Sequence, residues 1–330
     1  MSMTSRIVRV ICCTVFLCCM AGAVVAQEYP TKPIRFVVPY SPGGGSDIMS
    51  RILGQKFTES WGQPVIIDNR AGASAIIGTD IVAKAPADGY TILWAGSGPF
   101  SINSSLFEKL QYDPIKDFTH IMWVVKLPML LLTHPSLKVN NVRELIAVMK
   151  SRPEGLPYAS IGVGSPSHLA MELFKSMAGV EKLVHVPYSG SGTAHTALLG
   201  GQAALVMFDS VLSSIAHVKS GREKAIAVST ADMRLPALPD VPTVSESGLP
   251  GFDASTWGGV AAPAGVPQPI VKKLNAEIAK ILKMPDVQAK LAAQGAIPVG
   301  GTPQEFTNFI KSETAKWGKI IRDAHVKVDQ

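Results

Sequence analysis

The chain has 330 residues, 31 basic against 25 acidic, for a formal net charge of +6, and its four cysteines (Cys12, Cys13, Cys18, Cys19) all precede residue 20. Arg6 and Arg9 stand before an apolar stretch from Val10 to Met20 and a small-residue exit at Val24-Val25-Ala26, the pattern of a secretory signal over residues 1–26 cleaved after Ala26. Cleavage would leave 29 basic and 25 acidic residues, a mild +4, and no thiol, which excludes disulfides, zinc thiolates and a cysteine nucleophile.

No later segment is apolar for the roughly 18 residues a membrane span needs, so a soluble, exported mature protein is expected. Lys280, Lys283, Lys311 and Lys316 alternate with Glu277, Asp286 and Glu313 at helical spacing, which describes a solvated face and not a nucleic-acid stripe. About 300 residues exceed what one hydrophobic core usually organises, so two lobes are expected.

In chain order, IRFVVPY (34–40), VIIDN (65–69) and TILWAG (91–96) are short apolar runs ending in turns, the signature of buried parallel strands. Between the first two, Ile48, Ile52, Leu53, Phe57 and Trp61 fall on one helix face. A second set follows, MLLLTHP (129–135), LPYASIG (156–162), VHVPY (184–188), ALVMFD (204–209) and AIAVST (225–230), separated by helical patterns. This alternation predicts an α/β fold with a doubly wound, mainly parallel sheet in each lobe. The proline-rich stretch from Leu235 to Pro269 reads as a loop crossing between lobes, and two helices near 267–282 and 303–321 finish the chain.

Glycine- and serine-rich turns close several of these strands. Gly44, Gly45 and Ser46 follow the first, at the start of a helix, where backbone N–H groups can donate to an anion without a charged side chain. Asp47 reads as the cap of that helix. A dinucleotide fingerprint fails because its third glycine falls on Ile48, and a P-loop fails because Ser46-Asp47 follows Gly45. Comparable turns hold Ala71 to Ser74, Gly96-Ser97-Gly98, Gly162 to Ser167 (with Ser165) and Tyr188 to Thr193 (with Ser189 and Gly190). Ligands in open α/β sheets bind beyond the carboxyl ends of strands, so these turns together describe a cleft for a small polar anion. Tyr40 and Tyr188 either wall that cleft or belong to the core. Asp209, ending a buried strand, either accepts from the ligand or pins a loop between lobes.

Catalytic motifs are missing: no G-x-S-x-G elbow is present, and His168, His185, His195 and His217 are scattered without metal-ligand spacing. No metal and no cofactor is expected. The rival reading is an exported serine hydrolase pairing Ser165 or Ser167 with His168, although adjacent positions at a helix start suit capping better.

VVPYSPGGGSD, DNRAGASAIIG, PADGYTILW, YASIGVGSPSHLAMEL, VPYSGSGTAHTALLGGQ and PDVPTVSESGLPGF resemble, in order and spacing, the substrate-binding receptors of tripartite tricarboxylate transporters, the Bug family. The resemblance covers roughly residues 30 to 325 and implies a two-lobed periplasmic-binding-protein fold of Venus-flytrap, type II-like form. Residues 27–124 plus 252–330 would make one lobe and 125–251 the other, with the ligand cleft between them. It implies a non-enzymatic, monomeric receptor that holds a small carboxylate with the turns matching Tyr40 to Asp47, Ser160 to Ser167 and Tyr188 to Gly192, with Asp209 meeting the rest of the ligand. The partner would be a membrane permease; a sensor presenting ligand to a signalling partner uses the same cleft. Ala71 stands where the family often has proline, Ser74-Ala75 replace a glycine pair, and Ser189 replaces a frequent lysine, which bears on ligand identity.

Overall fold

The computed structural model describes residues 29–328 apart from Gly44 and Gln202, so the expected leader with its cysteines, and Gly44, lie outside the described residues. The chain opens with β1 (Ile34–Val38), whose IRFVV sequence is buried on both faces as a central parallel strand requires. After the glycine turn, α1 (Gly45–Trp61) buries Met49, Leu53 and Phe57, a four-residue spacing that puts one stripe against the sheet. β2 (Val65–Asn69), α2 (Ile76–Ala83), β3 (Thr91–Gly96), the short α3 (Asn103–Leu106) and β4 (Phe118–Leu127) follow.

At Pro128 the chain enters a second sheet. It runs through β5 (Met129–Thr133), α4 (Val142–Lys150), β6 (Leu156–Ser160), α5 (Pro166–Ala178), β7 (Leu183–Pro187), α6 (Ser191–Gly200), β8 (Val206–Ser210), α7 (Val211–Lys219) and β9 (Lys224–Val228). It returns to the first sheet as β10 (Thr256–Pro263), α8 (Gln268–Ile281), α9 (Pro285–Ala293), β11 (Ile297–Pro298) and α10 (Pro303–Asp323). Strand order is β11-β4-β10-β3-β1-β2 in the first sheet and β7-β6-β8-β5-β9 in the second. Among the described residues no helix is long and apolar enough to cross a membrane.

The α/β architecture with two sheets is as expected, but the sheets are mixed and not mainly parallel: four pairings are parallel and five antiparallel. The antiparallel pairings all involve β4, β5 or β10, the strands at which the chain leaves one sheet and enters the other. Such a strand comes in from the opposite side and so runs against its neighbours. β10 also corrects the expectation of a loop over 235–269. Its Gly258 and Gly259 lie under the rings of Trp94 and Phe306, where an added Cβ would sit 2.0 and 2.3 Å from ring carbons. Those rings supply the burial that a strand usually takes from its own side chains.

Where the chain crosses, Ser229 ties the two passes together. Its Oγ accepts from the Met129 N–H at 2.8 Å, its own N–H donates to the Met129 carbonyl at 2.9 Å, and its carbonyl accepts from the Ala254 N–H at 3.0 Å. A third connection is α10. Thr302 caps it, with Glu305 reaching back in a capping box. Phe306 and Ile310 pack in a core with Val37, Phe100 and Trp257 of the first sheet, whereas Trp317, Ile320 and Ile321 pack in a core with Leu131, Tyr158 and Phe174 of the second. One helix thus completes both cores.

Candidate functional site

The carboxyl ends of β1, β2, β3, β6, β7 and β8 face one cavity of about 670 Å³ between the two sheets. Five helices begin there. Gly45 and Ser46 open α1, Ser74 and Ala75 lead into α2, Ser165 to Ser167 open α5, Gly190 precedes α6, and Ser210 and Leu212 start α7, all on the cavity wall. The first N–H groups of a helix have no intrahelical acceptor, and its N-terminus carries roughly half a positive charge. No lysine or arginine lines the cavity among the described residues. Any attraction of this wall for an anion therefore comes from backbone dipoles.

Much of the remaining wall is apolar and drawn from both sheets: Leu106, Leu127, Met129, Ile161, Val163, Leu212 and Trp257. Two glycines make the sheets meet. A Cβ on Gly45 would fall 2.3 Å from Leu212 Cδ1 across the cleft, and one on Gly164 would fall 2.2 Å from Leu106 Cδ2 in the reverse direction. Gly164 also has φ +72°, a left-handed conformation that suits glycine. Tyr40 rests on a third, since a Cβ on Gly96 would meet its Oη at 3.0 Å.

Of the residues singled out in the sequence, Tyr40, Gly45, Ser46, Ser97, Gly162, Ser165, Ser167, Tyr188, Ser189, Gly190 and Asp209 line this cavity. Asp47 and Ser160 do not. Asp47 lies in the first turn of α1 and not ahead of it, and reaches back: Oδ2 accepts from Gly43 N–H and Arg51 Nε, both at 2.9 Å, and Oδ1 accepts from Asn69 Nδ2 at 3.0 Å. Burial works against its charge, but the Arg51 guanidinium and these donors hold its carboxyl below the usual range. Asp47 thus braces the glycine turn from behind. Ser160 is buried with Oγ 2.6 Å from His185 Nε2 and accepts from Gly162 N–H at 3.1 Å, which supports the Gly162 turn in the same way. The wall residues the sequence did not reveal, such as Asn103, Leu106 and Leu212, carry no local signal.

The serines and His168 form no nucleophile. Ser165 Oγ donates to the Gly162 carbonyl at 2.7 Å and caps α5 by accepting from the His168 backbone N–H, while Ser167 Oγ donates to the Phe208 carbonyl. His168 Nδ1 accepts from Gly164 N–H at 3.0 Å, and its ring stacks on His185 at 3.9 Å between centroids. Burial, then the neighbouring His185, pushes His168 down to about 4, so it is neutral at pH 7 and serves as a fixed acceptor for the turn.

The turn before α2 is strained. Ala73, Ser74 and Ala75 all have positive φ, 45°, 53° and 71°. Each costs about 1–2 kcal/mol for a residue with a Cβ. Ser74 is exposed on the cavity wall and its carbonyl accepts from Asn103 Nδ2 at 2.9 Å. Ser74→Gly keeps that backbone bond and relieves the strain, offset in part by added freedom of the unfolded chain. A gain of about 1 kcal/mol is expected, raising the thermal midpoint by about 2 °C; a lower midpoint in differential scanning calorimetry would show that the turn is unstrained.

A family model described as "Tripartite tricarboxylate transporter family receptor" matches residues 49–326. Protein BugT of Bordetella pertussis is 38% identical over 329 residues, spanning 99% of this chain and 100% of that one. The structure of R. palustris Rpa4515 with adipate is similar at a TM-score of 0.84 and 36% identity, covering 91% of this chain and 99% of that chain. MatC from Rhodopseudomonas palustris with bound malate is similar at a TM-score of 0.78 and 33% identity, covering 89% and 100%. The chain belongs to the tripartite tricarboxylate transporter receptor family, whose members bind solutes and are not enzymes.

Proposed function

We propose that this chain is a periplasmic receptor that captures a small carboxylate, a dicarboxylate, acidic amino acid or aromatic acid, and delivers it as a monomer to a membrane permease of the tripartite tricarboxylate type. The observation that carries the reading is the convergence of five helix N-termini from both sheets on one cavity that no lysine or arginine lines. Backbone donors on one side suit a carboxylate, and the apolar wall from Leu106 to Trp257 suits a carbon skeleton. Adipate and malate in the two similar structures support the same class.

On this reading residues 27–124 with 252–330, and residues 125–251, are lobes that close on the ligand about the strands tied by Ser229. The Gly45–Leu212 and Gly164–Leu106 contacts are where the lobes would meet. Ligand would touch Tyr40, Gly44 to Ser46, Ser97, Gly162, Ser165, Ser167, Tyr188 to Gly190 and Asp209, with Asp47 and Ser160 holding the turns in place.

Isothermal titration of purified protein with adipate, malate, citrate, aspartate, glutamate and benzoate tests it. Saturable binding of at least one acid, recovered chemically unchanged, is expected. Failure of all six to bind, or conversion of any of them, overturns the reading.

A further inference from the structure

Asp209, next to last in β8, lies on the cavity wall, only 1% exposed, with three donors around it. Oδ1 accepts from Ser191 Oγ of α6 at 3.2 Å; Oδ2 accepts from Ser213 Oγ of α7 at 2.7 Å and lies 3.0 Å from Nε2 of His195. The other nitrogen of that ring, Nδ1, is 2.7 Å from Oε1 of Glu223, in the turn between α7 and β9. His195 and Glu223 are 3% and 4% exposed. An acid of the binding wall is thus joined through one imidazole to a second buried acid.

Two carboxylates, one at each ring nitrogen, favour the charged ring. A neutral imidazole has one donor and one acceptor nitrogen, so it can satisfy only one of the two carboxylates and would turn a lone pair on the other. Only the imidazolium donates to both. The other titratable or charged groups facing it are His217 of α7, whose ring stacks at 4.7 Å between centroids and which burial keeps below the usual imidazole range, and Arg222, which acts on His217. Burial opposes charge on His195 itself, but Asp209 and Glu223 outweigh it and raise it to about 9.

A carboxylate entering this cavity meets the carboxylate of Asp209 on the wall, and like charges close together in a water-poor site repel. We propose that His195 is a positioning residue for anion capture: clamped by Glu223, it neutralises and orients Asp209 from behind, so that the cavity accepts an acid despite the acid in its own wall. This rests on the receptor reading above and adds a charge relay lying outside the cavity.

The test takes the tightest-binding acid of the six and measures its affinity by isothermal titration from pH 6 to 10. In the wild type, affinity is flat to pH 8 and falls about tenfold by pH 10, as His195 loses its proton. His195→Gln binds about tenfold more weakly at pH 7 and lacks that alkaline fall.

Thermal melts of the empty proteins give a second readout. His195 has a folded-state pKa above its unfolded value, so its stabilisation is fully present below about pH 6.5 and lost as pH rises towards 9. The wild-type midpoint therefore falls across that window more than the midpoint of His195→Gln. Equal affinity or an unchanged pH profile in His195→Gln overturns the inference. A wild type that binds none of the six acids instead refutes the carboxylate reading, and this inference with it.

Discussion

Gly45→Val is expected to weaken carboxylate binding by about ten- to a hundredfold while the empty protein melts within about 2 °C of wild type. Gly45 opens α1 on the cavity wall, and a Cβ there falls 2.3 Å from Leu212 Cδ1 of the facing sheet. The clash is with the far end of a flexible side chain, and Gly45 is not in the left-handed region, so the fold can yield without backbone strain. What the valine takes up is space between the sheets. The sheets part slightly to relieve the clash, and bringing them back together around a ligand then costs about 1–3 kcal/mol, which in a binding equilibrium gives the stated range. Adding Leu212→Ala should recover most of the loss, since it empties the position the valine needs. Titration calorimetry of the single and double variants decides: undiminished affinity in Gly45→Val would place the ligand elsewhere.

Trp317→Ala should be the more damaging change to stability, by about 3–5 kcal/mol, with a fall of about 6–12 °C in the thermal midpoint. The ring is fully buried, its Nε1–H donates to Glu313 Oε2 at 2.9 Å, and it packs in the second sheet's core although the first half of its helix packs in the first sheet's core. Removing it opens a cavity and also leaves the largely buried Glu313 without that donor. Trp317→Phe, which keeps most of the volume, should cost roughly half as much. Chemical denaturation of the three proteins measures this, and a loss under about 1 kcal/mol in Trp317→Ala would mean the helix does not close the second core.

How far the sequence could be read follows from which interactions are local. β1, β3, β6 and β8 were legible because a strand buried on both faces by its own side chains is an apolar run. β10 was not, since TWGGVAAP draws its cover from Trp94 and Phe306, far away in sequence. The cavity-lining turns were legible because successive strands each end in a glycine- and serine-rich turn, a pattern carried by neighbouring residues. Leu106, Leu127 and Met129 were not, because a leucine or methionine facing a cavity looks like one facing a core. Asp47 and Ser160 share their turns with wall residues, yet both side chains point to Gly43 and His185 behind the wall, a direction that chain position does not encode. His195 looked solitary because its partners lie 14 and 28 residues further on.

The ribosome makes α10 last, after β10, the strand between β3 and β4 in the first sheet. A nascent chain released as far as residue 250 lacks the centre of one sheet and the helix that seals both cores. Neither half therefore reaches its final packing until β10 and α10 are in place, which couples the last stage of folding of the two sheets.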